Sequence, residues 1–146
     1  MKLNKKLYIE LIYLLTLGVI TSLSLPPFNY LFLNFFTFTL LFLFLIKKIN
    51  QNVGAKYFFL YGWLFGFGYF ISNLYWISIS LTFDQNFKFL IPFTVFLIPA
   101  FLAIFYGLIT YLFFFLKSKK LIISIFIFSL IFGILEFLRG SILTGF

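Results

Sequence analysis

Glu136 and Arg139 stand three residues apart near the end of the chain, a spacing that puts both side chains on one face of a helix. A carboxylate and a guanidinium at that distance can neutralise each other, and Glu136 alone could serve as a proton acceptor or donor. Glu10, near the inner end of the first apolar run, lies where neighbouring lysines can reach it and reads as a structural charge. A further polar stretch, Ser72, Asn73, Tyr75, Trp76, Ser78 and Ser80, follows a run of aromatic residues. These groups do not make a catalytic centre, because no nucleophile sits at a recognisable distance from Glu136. The sequence contains neither Cys nor His, hence no thiolate, no imidazole base and no usual zinc ligand set. No glycine-rich phosphate loop and no basic-aromatic nucleic-acid surface is evident, so no catalytic residue, metal, cofactor or nucleic-acid partner is assigned.

The elements that must hold these residues are hydrophobic helices. Apolar residues make up 64% of the 146-residue chain, charged residues 10%, and the mean hydropathy is +1.16. A soluble domain carries roughly a quarter charged residues, so this composition calls for lipid as the solvent. Five apolar runs are separated by short polar breaks: 7–25, ended by Pro26-Pro27; 28–46, ended by Lys47-Lys48; 57–81; 89–116, interrupted by Pro92 and Pro99; and 121–138. Each has about the length of a membrane-crossing helix, and no run alternates as a barrel strand does. The spacing predicts an all-α bundle of about five transmembrane helices forming a single domain, 1–146, with no internal repeat or linker.

Within the third run, Gly62, Gly66 and Gly68 interrupt a helix otherwise filled with Phe, Tyr and Trp. In lipid, where burial gives little drive for helices to associate, such residues allow close backbone approach. The alternative reading is a groove beside the glycine face that admits an acyl chain. The Tyr75-Trp76 end of the same run is either an interfacial aromatic belt or a surface for a lipid headgroup or a docked partner. The opening Met-Lys-Leu-Asn-Lys-Lys and the apolar run after it resemble a secretory signal peptide. That run is long, contains Glu10 and has no small-x-small site at its end, so an uncleaved first helix is expected.

The order of the motifs says more than any one of them. Leu25-Pro26-Pro27-Phe28 is followed by Gly62-Trp63-Leu64-Phe65-Gly66-Phe67-Gly68, then Asn73-Leu74-Tyr75-Trp76-Ile77, and finally Glu136-Phe137-Leu138-Arg139-Gly140-Ser141-Ile142-Leu143-Thr144-Gly145-Phe146. This succession resembles the N-terminal membrane region of bacterial apolipoprotein N-acyltransferases. It departs from the common pattern at Phe137 and Ser141, where the family usually has Trp. The resemblance implies an enzyme that takes an acyl chain from a phospholipid onto a Cys thioester and passes it to the α-amino group of a diacylglyceryl lipoprotein. It implies that the catalytic Cys, Glu and Lys belong to a periplasmic carbon-nitrogen-hydrolase-like domain, none of whose residues maps onto this chain. It also implies that Asn73, Tyr75, Trp76, Glu136, Arg139 and Thr144 face the outward, lipid-substrate side. On this reading the chain anchors the enzyme in the bacterial inner membrane, and alone it would be inactive, a fragment whose partner is the missing catalytic domain if that is encoded separately. A small polytopic transporter using Glu136 or Glu10, or a structural membrane subunit, is the competing reading.

Orientation follows from the positive charges. With the N-terminus in the cytoplasm, Lys2, Lys5, Lys6, Lys47, Lys48, Lys56, Lys117, Lys119 and Lys120 fall inside, and only Lys88 and Arg139 outside. The C-terminus is then periplasmic. Reporter fusions after Lys48 and Lys120 are expected to read as cytoplasmic, and fusions after Asn86 and Phe146 as periplasmic. A periplasmic signal after Lys120 would overturn the five-crossing arrangement.

Overall fold

The computed structural model of the protein describes residues 5–74, 83 and 85–143. Among them the chain is helical throughout, with no strand: α1 (Lys5–Ser22), α2 (Phe32–Asn50), α3 (Ala55–Asn73), a 3₁₀ turn (Gln85–Leu90), α4 (Ile91–Leu116) and α5 (Leu121–Ile142). Three helical stretches, Phe32–Asn50, Lys88–Leu116 and Leu121–Ile142, are long and apolar enough to cross a membrane, and the apolar part of α1, Leu7–Ser22, is shorter. α3 is of spanning length but is diluted by Lys56, tyrosines and glycines. Large apolar side chains cover the outside: Phe35, Phe126 and Phe137 are 79%, 71% and 74% exposed. Such a surface belongs in hydrocarbon, and the chain is a helical membrane protein.

Helix boundaries differ from the apolar runs for local reasons. α1 stops at Ser22 rather than residue 25, because Leu25 precedes a proline and is pushed away from helical geometry. The chain then turns through residues 23–31, where the Leu25 carbonyl accepts from the Phe28 and Asn29 amides and Asn29 takes φ 56°. This delays α2 to Phe32, and its far end extends through Lys47 and Lys48 to Asn50. Lysine is a good helix former whose stem can lie along apolar surface, so charge does not end the helix. α3 ends at Asn73, where the Leu74 amide still reaches the Phe70 carbonyl. The part of the 57–81 run beyond Leu74 lies outside the described residues, apart from the isolated Phe83. α4 begins with Pro92 in its first turn, where the missing amide costs nothing. α5 runs four residues past the expected end at 138.

α3 is the centre of the bundle. Gly62 and Gly66, one turn apart, sit against α4: a Cβ at Gly62 would run into the Tyr106 carbonyl and Thr110, and one at Gly66 would come within 2.7 Å of the Tyr106 Cβ. Gly68 is two residues further on, hence about 200° around the helix, and it sits against the Leu15 carbonyl of α1. Gly18 of α1 completes that contact against the Phe65 carbonyl and the Tyr69 amide. Side-chain hydrogen bonds span the α3–α4 seam, from the Thr110 hydroxyl to the Phe58 carbonyl at 2.6 Å and from the Trp63 indole to the Ala100 carbonyl at 3.0 Å.

Aromatic rings fasten α2 and α5 onto this core. Phe38 of α2 meets Phe65 of α3 and Phe132 of α5, with centroids 5.7 and 4.7 Å apart, and Phe42 meets Phe113 and Phe128 at 5.8 and 5.6 Å. The ring and ion pairs run in opposite order along α2 and along α1, α3 and α5, and the pairs of α4 with α5 run in opposite order too, so α1, α3 and α5 point one way and α2 and α4 the other. Substituting Gly66 by Leu is expected to destabilise the bundle by about 1–3 kcal/mol through overpacking and to lower the folded amount in membranes. Gly133, with nothing within 4 Å of its would-be Cβ, serves as the control, since Gly133→Ala should be neutral or raise stability by up to about 1 kcal/mol through helix propensity. Equal membrane levels of the two variants would remove the case for a tight seam at Gly66.

Candidate functional site

The alternating helix directions bring the ends of α3 and α5 together on one side of the molecule. There Arg139 Nη2 donates to Glu136 Oε2 at 2.6 Å, within one turn of α5. The guanidinium also lies over the Phe70 ring of α3, 5.2 Å from its centroid, a cation–π contact. Tyr106 of α4 packs beneath: its ring stacks on Tyr69 at 5.9 Å and meets Phe70 and Phe132 edge-on at 5.4 and 5.3 Å. Tyr69 and Tyr106 both lie within the electrostatic reach of Glu136 and Arg139.

Helical periodicity explains the assembly. Phe132 and Glu136 are four residues apart on α5, and Tyr69 and Phe70 share the end of α3 with half-buried Asn73. Gly66 lets Tyr106 come close enough to seat its ring between them. The pair is partly shielded, with side chains 14% and 26% exposed for Arg139 and Glu136. Among the described residues Glu136 Oε1 and Arg139 Nε are enclosed without a hydrogen-bonding partner. The Tyr106 phenol approaches the Glu136 carboxylate, so the pair sits as a polar group within an otherwise apolar packing.

Of the residues singled out in the sequence, Glu136 and Arg139 meet each other and Arg139 lies over Phe70, while Asn73 ends the same helix as Phe70, α3. Tyr75, Trp76 and Thr144 lie outside the described residues. Tyr69, Phe70 and Tyr106 were not singled out, because one Tyr or Phe among so many carries no signal before its helix is placed. Gly18 was missed for a related reason, as a lone glycine in an apolar run, without the near neighbours that mark Gly62, Gly66 and Gly68.

At the opposite end, Glu10 of α1 accepts from Lys48 of α2 at 2.5 Å. The lysine is 4% exposed, and its ammonium lies 5.4 and 5.7 Å from the Phe44 and Tyr61 ring centroids. Two cavities of about 360 and 370 Å³ flank the pair. With the two charges paired and aromatic rings beside the ammonium, this contact clamps α1 to α2. No cluster of metal-ligating side chains occurs among the described residues.

Taken together, the fold and its two charged ends define a polytopic helical membrane module. Its family is given by comparison with known proteins. The chain matches the apolipoprotein N-acyltransferase N-terminal domain over residues 17–146. It is 38% identical to the apolipoprotein N-acyltransferase of Rhizobium rhizogenes over 137 residues, which cover 88% of this chain and 25% of that enzyme. The enzyme of Rickettsia prowazekii is 37% identical over 140 residues, 95% of this chain and 27% of the relative. That of Brucella melitensis is 35% identical over 139 residues, again 88% and 25%. No solved structure matches. The chain belongs to the apolipoprotein N-acyltransferase family and corresponds to its N-terminal domain, spanning about a quarter of the length of these relatives. The transporter and structural-subunit readings gain no support.

The Glu136–Arg139 contact can be weighed by a double-mutant cycle. Removing one partner of a shielded ion pair leaves a charge without compensation, whereas replacing both by apolar residues is often tolerated. Arg139→Met and Glu136→Leu are each expected to lower stability, with a coupling of about 1–3 kcal/mol, and the double substitution should recover most of the loss. Thermal unfolding in detergent provides the readout, and purely additive losses would show that the contact contributes nothing.

Proposed function

We infer that residues 1–146 form one transmembrane domain that anchors an apolipoprotein N-acyltransferase in the bacterial inner membrane and shapes the side by which its lipid substrates enter. The reaction assigned to the whole enzyme moves an acyl chain from a phospholipid, through a Cys thioester, to the α-amino group of a diacylglyceryl-modified lipoprotein. The observation that carries the assignment of a lipid-facing side is the Glu136–Arg139 cluster. Among the described residues its Glu136 Oε1 and Arg139 Nε are buried without a hydrogen-bonding partner, beside the aromatic wall of a lipid-exposed bundle. A phospholipid or an acylated peptide has polar atoms next to long apolar chains, and such a setting matches both parts. Asn73, Tyr75, Trp76 and Thr144 belong to the same face on this reading. The lysine distribution supports placing that face outward, with the N-terminus in the cytoplasm.

Thioester chemistry requires a thiolate, and this chain has no Cys. Its serines and threonines have no imidazole beside them, and a hydroxyl without a base stays protonated at neutral pH. The role of these residues is therefore binding and positioning, with the nucleophile supplied by a catalytic domain, the partner implied for this membrane part. The purified chain, incubated with labelled phospholipid and a diacylglyceryl peptide, is expected to transfer no acyl group and to form no covalent adduct. Adding the remaining region of a relative such as the Rickettsia prowazekii enzyme as a second polypeptide should restore transfer. Hydroxylamine-sensitive label on the isolated chain would overturn this assignment of roles.

A further inference from the structure

A second polar site lies at the other end of the helices, where α2 finishes and α4 hands over to α5. A cavity of about 630 Å³ opens there, lined by Ile46, Ile49 and Asn50 of α2 and by Lys117, Lys119 and Leu121 of the α4–α5 corner. Its volume falls within the roughly 300–1,000 Å³ usual for small-molecule sites. The corner is built, not slack: the buried Ser124 hydroxyl accepts from the Ser118 amide at 3.1 Å and donates to the Ser118 carbonyl at 2.8 Å. Lys117 is held in place by donating to the Phe114 carbonyl at 2.6 Å, with its ammonium 4.0 Å from the Phe114 ring centroid. One of its three protons is used in that bond, and the others remain to be given.

No carboxylate balances these lysines among the described residues. The chain has only three acidic residues. Glu10 is taken by Lys48 and Glu136 by Arg139, and Asp84 precedes α4, whose far end carries Lys117. Lys119 and Lys120 are exposed beside the cavity. An excess of positive charge, an amide from Asn50 and an isoleucine–leucine wall together match a group that is anionic at one end and aliphatic at the other.

We propose that this corner binds an anionic phospholipid of the cytoplasmic leaflet as a resident lipid, its phosphate on Lys117 and Lys119 and its acyl chains along Ile46, Ile49 and Leu121. The leaflet assignment rests on the orientation read from the lysines; the site itself does not depend on the acyl-transfer reading. Such a lipid would not be the acyl donor. Ser124 and Glu136 are twelve residues apart on α5, about 18 Å along the axis, so the cavity and the Glu136–Arg139 cluster belong to opposite ends of the helix.

The test is competitive retention of lipid by the full chain. The protein, reconstituted in nanodiscs of equimolar phosphatidylglycerol and phosphatidylcholine, is extracted gently, and the lipid that stays bound is read by native mass spectrometry. Phosphatidylglycerol should be retained in preference, by roughly fivefold for each lysine engaged. K117Q/K119Q should abolish that preference, and K117R/K119R should keep it. K56Q/K88Q, which removes the same charge from exposed positions outside the cavity, should leave it unchanged. Inorganic phosphate added during extraction should not displace the lipid, because it cannot use the apolar wall. The proposal fails if the two lipids are retained equally, if K117Q/K119Q retains the preference, if K56Q/K88Q loses it to the same degree, or if phosphate alone competes.

Discussion

Everything in this bundle depends on how closely α3 approaches its two neighbours. Hydrocarbon removes the force that drives helices together in water, since a leucine gains little by leaving lipid for protein. What remains is contact energy and interhelical hydrogen bonding, and both fall steeply with distance. Gly62 and Gly66 on one side of α3 and Gly68 on the other let two neighbouring backbones come into direct contact, and Gly18 does the same from α1. The close seam brings the Thr110 hydroxyl within 2.6 Å of the Phe58 carbonyl and the Trp63 indole within 3.0 Å of Ala100. A Cβ in the seam would break those bonds as well as the packing.

The aromatic residues fill what the glycines leave open. A bundle with a tight centre has wide gaps towards its periphery, and large rigid rings fill them with little loss of side-chain freedom. Phe38, Phe42, Phe113, Phe128 and Phe132 form one connected set of ring contacts that reaches from α2 across to α4 and α5. Tyr106 joins this set to the glycine seam, because it touches Gly66 on one side and Phe132 on the other. Through Tyr106 and Phe70, the packing of α3 on α4 fixes where α5 presents Glu136 and Arg139. The charged cluster is thus supported from below by the same contacts that hold the helices together.

The sequence made the helical class, the five helices of the described residues and the glycine-rich third helix legible, because hydropathy and short-range spacing determine them directly. The separation of Glu136 and Arg139 likewise implies their contact, which lies within a single turn. Contacts across the chain were less accessible. That Glu10 pairs with Lys48, 38 residues away, follows from α2 running antiparallel to α1 and from the Phe44 and Tyr61 rings beside the ammonium. Helix boundaries moved by up to four residues where proline geometry and lysine's helix preference outweighed hydropathy, as at Ser22 and Asn50. Ring partners such as Tyr106 with Phe70 were invisible, since aromatic residues at almost every position erase the contrast by which a particular one would stand out.

The two charged ends differ in a way that bears on function. Lys48 and Glu10 come from different helices, are enclosed by aromatic rings, and have their charges matched at the point of contact, an arrangement suited to holding α1 and α2 in register. Glu136 and Arg139 come from one helix, so their ion pair adds nothing to the union of α5 with the rest. Among the described residues, the contacts that tie this pair to other helices are the cation–π contact of Arg139 with Phe70 of α3 and the approach of the Tyr106 phenol of α4 to the Glu136 carboxylate. Glu136 Oε1 and Arg139 Nε, buried without a hydrogen-bonding partner among the described residues, carry a standing desolvation cost in this apolar setting. Residues under purely structural demand would relieve that cost by becoming apolar, as ion pairs in other proteins can without loss of stability. On the reading proposed above, that cost is offset when a polar group of an incoming lipid partners these atoms.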